Sequence, residues 1–298
     1  MKYYRLIAPT QPYLWGGKKL FNFGKKSSDD IIAESWELSF LKEGKSEVEI
    51  EGVRHNLEDI LSPYEYGSNY TKYSCFPVLI KFIDSNKDLS VQVHPSDEYA
   101  LKYEHSLGKT EMWYIIDSEP DSYIYVGLND DYSKEEILEK IKNGNILDIM
   151  NHIKVKKGDC FYIPSGTLHA IGKGCLICEI QENSNLTYRV YDYHRVDKNG
   201  KERELHIDKA IAVINTNKYN PISCTGSPLV DNQYFSVDYL KNEDHLKADK
   251  KSFVSLHIIS GSGHIENEPF KTGDSFFIPA DTEINLSGTY EAITCRIN

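Results

Sequence analysis

The sequence predicts a mainly β protein made of two small barrel-like units with a few accessory helices, and three observations carry that expectation. Tyr and Phe number 21 and 11 in 298 residues, and they recur with Val and Ile in short runs of the kind that favours strands. Gly, Pro, Asn and Asp punctuate those runs at the spacing of a sandwich or barrel. An internal repeat supplies the third: GDCFYIPSGTLHAIG from Gly158 and GDSFFIPADTEINLSG from Gly273 share Gly-Asp, an aromatic, Ile-Pro and Thr167/Thr282. A Gly-Asp turn feeding a strand that ends in Ile-Pro is one turn-plus-strand unit, so two copies predict two barrels.

In chain order, strands are expected at 75–83 (CFPVLIKFI), 89–94 (LSVQVH), 110–116 (TEMWYII), 122–128 (SYIYVGL), 160–164 (CFYIP), 175–181 (CLICEIQ) and 186–193 (LTYRVYDY). The clearest helical pattern runs from Ser133 to about Met150. Ser133 is a suitable N-cap, acids fill the first turn, and Ile137, Leu138 and Ile141 share one side. A second short helix is expected at 209–214 (KAIAVI). The loop-like stretch NTNKYNPISCTGSP (215–228) divides the chain into units at 1–215 and 216–298.

Lys and Arg total 34 against 45 Asp and Glu, a formal charge of −11. A chain this acidic has no surplus of cations to exchange for counterions, so it is expected to bind neither nucleic acid nor an anionic membrane. An anionic ligand must be small and held by a local pocket of positive charge. No apolar run of membrane-spanning length occurs, and MKYYRLIAPTQPYLW lacks the apolar core of an export signal, so a cytoplasmic protein is expected. The six cysteines are sparse. Cys175 and Cys178 have the C-x-x-C spacing of redox or zinc sites but lie in a strand-like run without a second pair, which favours buried structural thiols.

Three segments carry candidate chemistry. In DLSVQVHPSDEYA, spacing of two puts Ser90, Gln92 and His94 on one strand face. In GKTEMWYII, Lys109 and Glu111 share a face, and His169 follows Pro164 by five residues. Taken singly, these read as a half-exposed strand, a strand-end ion pair and a core histidine. Taken together, Gln92, His94, Glu111 and His169 offer two imidazole nitrogens and two oxygens from three strands. Such a set suits a divalent ion of zinc type, leaves positions open, and lacks the thiolates of a closed structural zinc site. The second repeat carries Ile284 where His169 stands.

LSVQVHP, GKTEMWYI, GDCFYIPSGTLHAIG and EIQENSNLTYRVYDYHR, in this order, closely resemble the type I phosphomannose isomerases of the cupin superfamily, in their short bacterial form. YLWGGKKL (13–20) and IAESWELS (32–39) extend the likeness over most of residues 5–215, and the C-terminal segment matches as a degenerate second cupin. The resemblance implies a jelly-roll catalytic cupin and the interconversion of mannose 6-phosphate and fructose 6-phosphate. It also implies one zinc ion per chain, a small sugar phosphate as the only partner, and no obligate protein partner.

Carried over residue by residue, the resemblance puts Gln92, His94, Glu111 and His169 on zinc ligands and Arg189 on an active-site arginine. Lys109 matches a lysine of proton transfer or substrate contact. Lys81 and Ser90 match pocket residues near the sugar phosphate, and Arg195 adds positive charge. Ser184-Asn185 and Tyr193 depart from the family's usual Ser-Asp and tryptophan. The proton-carrying base stays open among Lys109, Glu179, Asp192 and a metal-bound water. Arg189 paired structurally with Glu179 or Asp192, and Lys81 as a water-facing strand-end lysine, remain the plainer readings. Competing functions are a cupin oxygenase and a non-catalytic sugar-binding cupin.

Overall fold

The computed structural model describes residues 2–196 and 200–298. All seven expected strands form, and they distribute over two antiparallel sheets. The larger has seven strands, in the order Ile222–Ser223, Cys160–Ile163, Glu111–Ser118, Cys175–Glu182, Val78–Asp84, Glu34–Leu38 and Thr10–Gln11. The smaller has five: Met150–Lys154, Tyr123–Leu128, His169–Ile171, Val91–Val93 and Tyr188–Tyr191.

Period-two alternation sorts every strand into an inner and an outer face. Ile83, Trp113, Ile115 and Ile177 from the larger sheet pack with Ile124, Val126 and Ile171 from the smaller one in a shared inner layer. Gln92, Glu111, His169, Glu179 and Arg189 occupy the same alternation phase, so the inner layer changes from apolar to polar along its length. The outer face of the smaller sheet (Val91, Val93, Ala170, Tyr188, Val190) packs under Ile137, Ile141, Ala210 and Ile214. The outer face of the larger sheet (Ile80, Phe82, Met112, Cys178, Ile180) packs against Phe235, Phe253, Phe277 and Ile293 of the C-terminal half.

The expected helices form, with one difference in extent. Ser133 caps the helix Lys134–Lys142 through a reciprocal capping box with Glu136. The helix stops there because Gly144 adopts φ +71°, and the remainder becomes a separate 3-10 turn at Ile146–Ile149. The second helix spans Ile207–Val213. No helix among the described residues is long and apolar enough to cross a membrane.

The C-terminal half supplies seven strands of an eight-stranded sheet, and the two halves are cross-laced. Tyr4–Arg5 pairs with Ser275–Ile278 of the C-terminal sheet, while Ile222–Ser223, within the 215–228 loop, pairs with Cys160–Ile163 of the N-terminal one. The internal repeat is real in three dimensions. Gly158 and Gly273 turn with φ +91° and +92°, a conformation that side chains other than glycine resist. Each turn feeds a strand of matching register.

Candidate metal centre and active-site cavity

His94, Glu111 and His169 reach one point from three strands or strand ends, with ligand atoms all within 4.8 Å of one another. The positioning follows from sheet register. His169 is paired directly with Gln92, and Glu111 opposes Ile163 at the end of the strand that leads to His169. Both imidazoles are oriented from behind: His94 Nδ1 lies 2.9 Å from Leu186 O, and His169 Nδ1 lies 2.8 Å from Thr167 O. With Nδ1–H donated to those carbonyls, each Nε2 lone pair points at Glu111, at 3.5 Å for His94 and 3.3 Å for His169.

The donor set suits a cation at this point. All three side chains are buried, which holds His94 neutral and well below its ordinary value and His169 down at about 4. Burial also pushes Glu111 up to about 7, against the pull of Lys109. Among the described residues neither Glu111 oxygen accepts an aligned hydrogen bond, although Lys109 Nζ lies 2.9 Å from Oε2. Buried polar atoms without partners are costly. Two neutral imidazole nitrogens and an unsatisfied carboxylate therefore fit a divalent ion.

Behind Gln92 and Lys109 the cluster adjoins a cavity of about 450 Å³ whose lining includes those two residues, Lys81, Ser90, Arg189 and Arg203 but not the three clustered side chains themselves. Gln92 Nε2 lies 3.4 Å from His169 Nε2, and Lys109 Nζ lies 3.2 Å from His94 Nε2, so both connect cavity to cluster. Lys81 is not water-facing. It is 5% exposed and pairs with Glu34 at 3.2 Å and Glu179 at 3.7 Å; these acids outweigh burial and keep it cationic. Burial pushes the Glu179 carboxyl up, but Lys109 and Lys81 more than offset it and hold it below the ordinary carboxylate value.

Arg189 donates from Nε to Ser90 Oγ (3.2 Å) and from Nη1 to Glu204 O (3.0 Å). Among the described residues it forms no ion pair, so the structural pairing with Glu179 or Asp192 is absent. Asp192 lies outside the cavity lining and is committed to Arg195 and Arg203, which removes it from the candidate bases. Arg195 does not line the cavity; it borders an adjoining cleft with Tyr13, Leu14 and Asp192. Reasoning from sequence missed Arg203, Glu34 and Tyr13 on the cavity wall. Arg203 sits in a loop 14 residues beyond Arg189, where no periodicity marks it.

Cys175 and Cys178 are buried free thiols. Three residues apart on one strand, they face opposite sides, Cys175 into the inner layer and Cys178 into the outer core, so they cannot act as a pair.

The C-terminal repeat has lost its site completely. Val254 opposes Ile278 as Glu111 opposes Ile163, and Leu246 opposes Ile284 as Gln92 opposes His169. Counted two residues on, Ala248 stands where His94 does. All four replacements are apolar and share one core cluster.

Comparison with known proteins agrees with this picture. Residues 3–134 match the family model for the phosphomannose isomerase type I catalytic domain, and residues 227–297 match that for the mannose-6-phosphate isomerase cupin domain. The chain is 39% identical to the mannose-6-phosphate isomerase ManA of Bacillus subtilis over 95% of both chains. It is 36% identical to the mannose-6-phosphate isomerase of Streptococcus mutans over 89% of both. The crystal structure of the mannose 6-phosphate isomerase from Bacillus subtilis superposes with a TM-score of 0.87 at 34% identity, covering 99% of both chains. A variant of the phosphomannose isomerase from Salmonella typhimurium shares the fold at 15% identity, with a TM-score of 0.78. On this likeness, sustained from end to end, the chain belongs to the type I phosphomannose isomerases.

Proposed function

We propose that the cavity binds mannose 6-phosphate or fructose 6-phosphate and that the enzyme interconverts them by moving a proton between C2 and C1 through an enediol(ate). The observation that carries this reading is the buried His94–Glu111–His169 cluster lying against Lys109, which lines one sugar-sized cavity together with Arg189. Gln92, His94, Glu111 and His169 would hold one zinc ion; turning the Gln92 amide over brings its oxygen to the cluster. When bound, the ion supplies Lewis acidity toward the oxygens of the reacting carbons.

The chain's own residues do the rest. Of the titratable groups on the cavity wall, we assign Lys109, which touches the cluster, and Glu179, 3.9 Å from it, to taking and returning the proton. Glu179 is fixed by Trp113 Nε1 at 2.9 Å and kept ionised by the lysines, which suits it to accept. Arg189, preset by Ser90 and the Glu204 carbonyl, offers a fixed cation to charge developing on the intermediate. Lys81 and Ser90 orient the sugar phosphate, and Arg195 acts from behind Asp192.

The test is isomerisation in D2O followed by NMR. Deuterium entering C1 of fructose 6-phosphate supports proton transfer; oxygen uptake in place of isomerisation contradicts it.

A further inference from the structure

Asp192 and Arg203 form a fork-on-fork pair, with Arg203 Nε 2.7 Å from Oδ2 and Nη2 2.6 Å from Oδ1. Asp192 is 5% exposed, and its Oδ1 also accepts from Arg195 Nη2, while Arg195 Nη1 reaches the Asp88 carbonyl. One buried carboxylate thus anchors two guanidinium groups, and the local charge is net positive. Burial, followed by repulsion from Arg203, lowers the Arg189 pKa, which marks the two as electrostatic neighbours.

Exposure grades along the cavity. Lys109, the lining residue that touches the metal cluster behind the wall, has a side chain 6% exposed, whereas the Arg203 side chain keeps 34%. In a hexose 6-phosphate the phosphate lies at the opposite end of the carbon chain from the carbons that react. A substrate with C1 and C2 against Gln92 and Lys109, next to the cluster, therefore carries its dianion toward the arginine end. Arg203 has five N–H donors, of which Asp192 takes two, and a guanidinium fork matches phosphate oxygens. The carboxylate locks the side chain's rotamer before substrate arrives, which cuts the entropy lost on binding.

We propose that Arg203, positioned by Asp192, reads the substrate's phosphate and sets the preference for phosphorylated sugar. This rests on the isomerase reading above. Arg203 is a substrate-contacting residue; Asp192 is a positioning residue.

Steady-state kinetics on the full metal-loaded chain, with inorganic phosphate as competing probe, tests this. For Arg203→Gln, KM for mannose 6-phosphate and the inhibition constant of phosphate should both rise roughly 10- to 100-fold, the range of a lost hydrogen bond to a charged group, with kcat nearly unchanged. Arg203→Lys, which keeps charge without the fork, should recover part of that loss. Asp192→Asn should raise both constants less than Arg203→Gln does. Unchanged KM and phosphate inhibition in Arg203→Gln would overturn the inference, whether or not the melting temperature falls. So would a loss confined to kcat. Absence of isomerisation by the unmodified chain would instead overturn the function itself.

Discussion

Glu111 stands opposite Ile163 in the N-terminal sheet, and in the C-terminal sheet Val254 stands opposite Ile278 in the same register. The backbone frame of the site is duplicated while its chemistry is not. A position that offers a carboxylate to a cation in one half fills a hydrophobic core in the other.

Metal content should accordingly be one divalent ion per chain. Elemental analysis of the purified protein giving two would mean that the apolar quartet Leu246, Ala248, Val254 and Ile284 has been misassigned.

Metal affinity should depend on pH through Glu111. In the metal-free protein its pKa is raised to about 7, so the carboxyl holds a proton that the metal must displace, while His169, at about 4, is already neutral. The sign is fixed: affinity rises with pH up to about 7 by roughly tenfold per unit for one proton, and levels off above. The same raised pKa contributes to metal-free stability below the unfolded value of about 4.5, a contribution lost as pH rises through 7. Competition titrations with a chelating indicator from pH 5 to 8 would reveal the slope. A slope of two or more would mean that the imidazoles also carry protons.

Cys175→Ser and Cys178→Ser should leave metal content and turnover intact. Cys175 Sγ lies 3.7 Å from Tyr123 O, a partner a serine hydroxyl inherits, whereas Cys178 sits in apolar core. Denaturant melts should therefore show the larger loss for Cys178→Ser, within about 1–3 kcal/mol for a buried hydroxyl without a partner. Loss of metal from either variant would reinstate the C-x-x-C reading.

Much of this was legible from local pattern. Alternation in LSVQVHP and GKTEMWYI was enough to place Gln92 with His94, and Lys109 with Glu111, on inward faces. Proximity of the two faces and of His169 needed the sheet pairing, which the repeat and the family likeness supplied. What stayed hidden depends on long-range contact. Asp192 looked like a possible base until its arginine partners were visible, and Arg203 carries no signal in its own segment. Pairing of Tyr4 with Phe277, across nearly the whole chain, is likewise invisible to any local pattern.

Arg189→Ala separates mechanism from simple binding. Removing a preset donor that acts on developing charge should lower activity by roughly 10²-fold, with kcat falling more than KM rises. A rise in KM alone would assign Arg189 to ground-state phosphate binding, and a lower melting temperature with both constants intact would remove it from the site.

One buried His94–Glu111–His169 centre is what the isomerase activity proposed for this chain depends on. A coupled assay for fructose 6-phosphate formation, run before chelation, after chelation and after zinc is restored, tests it most directly, with His94→Ala and His169→Ala alongside. Turnover should disappear with the metal, return with zinc, and be absent from both variants while they stay folded. Full activity in the metal-free protein, or in either metal-free variant, would contradict it.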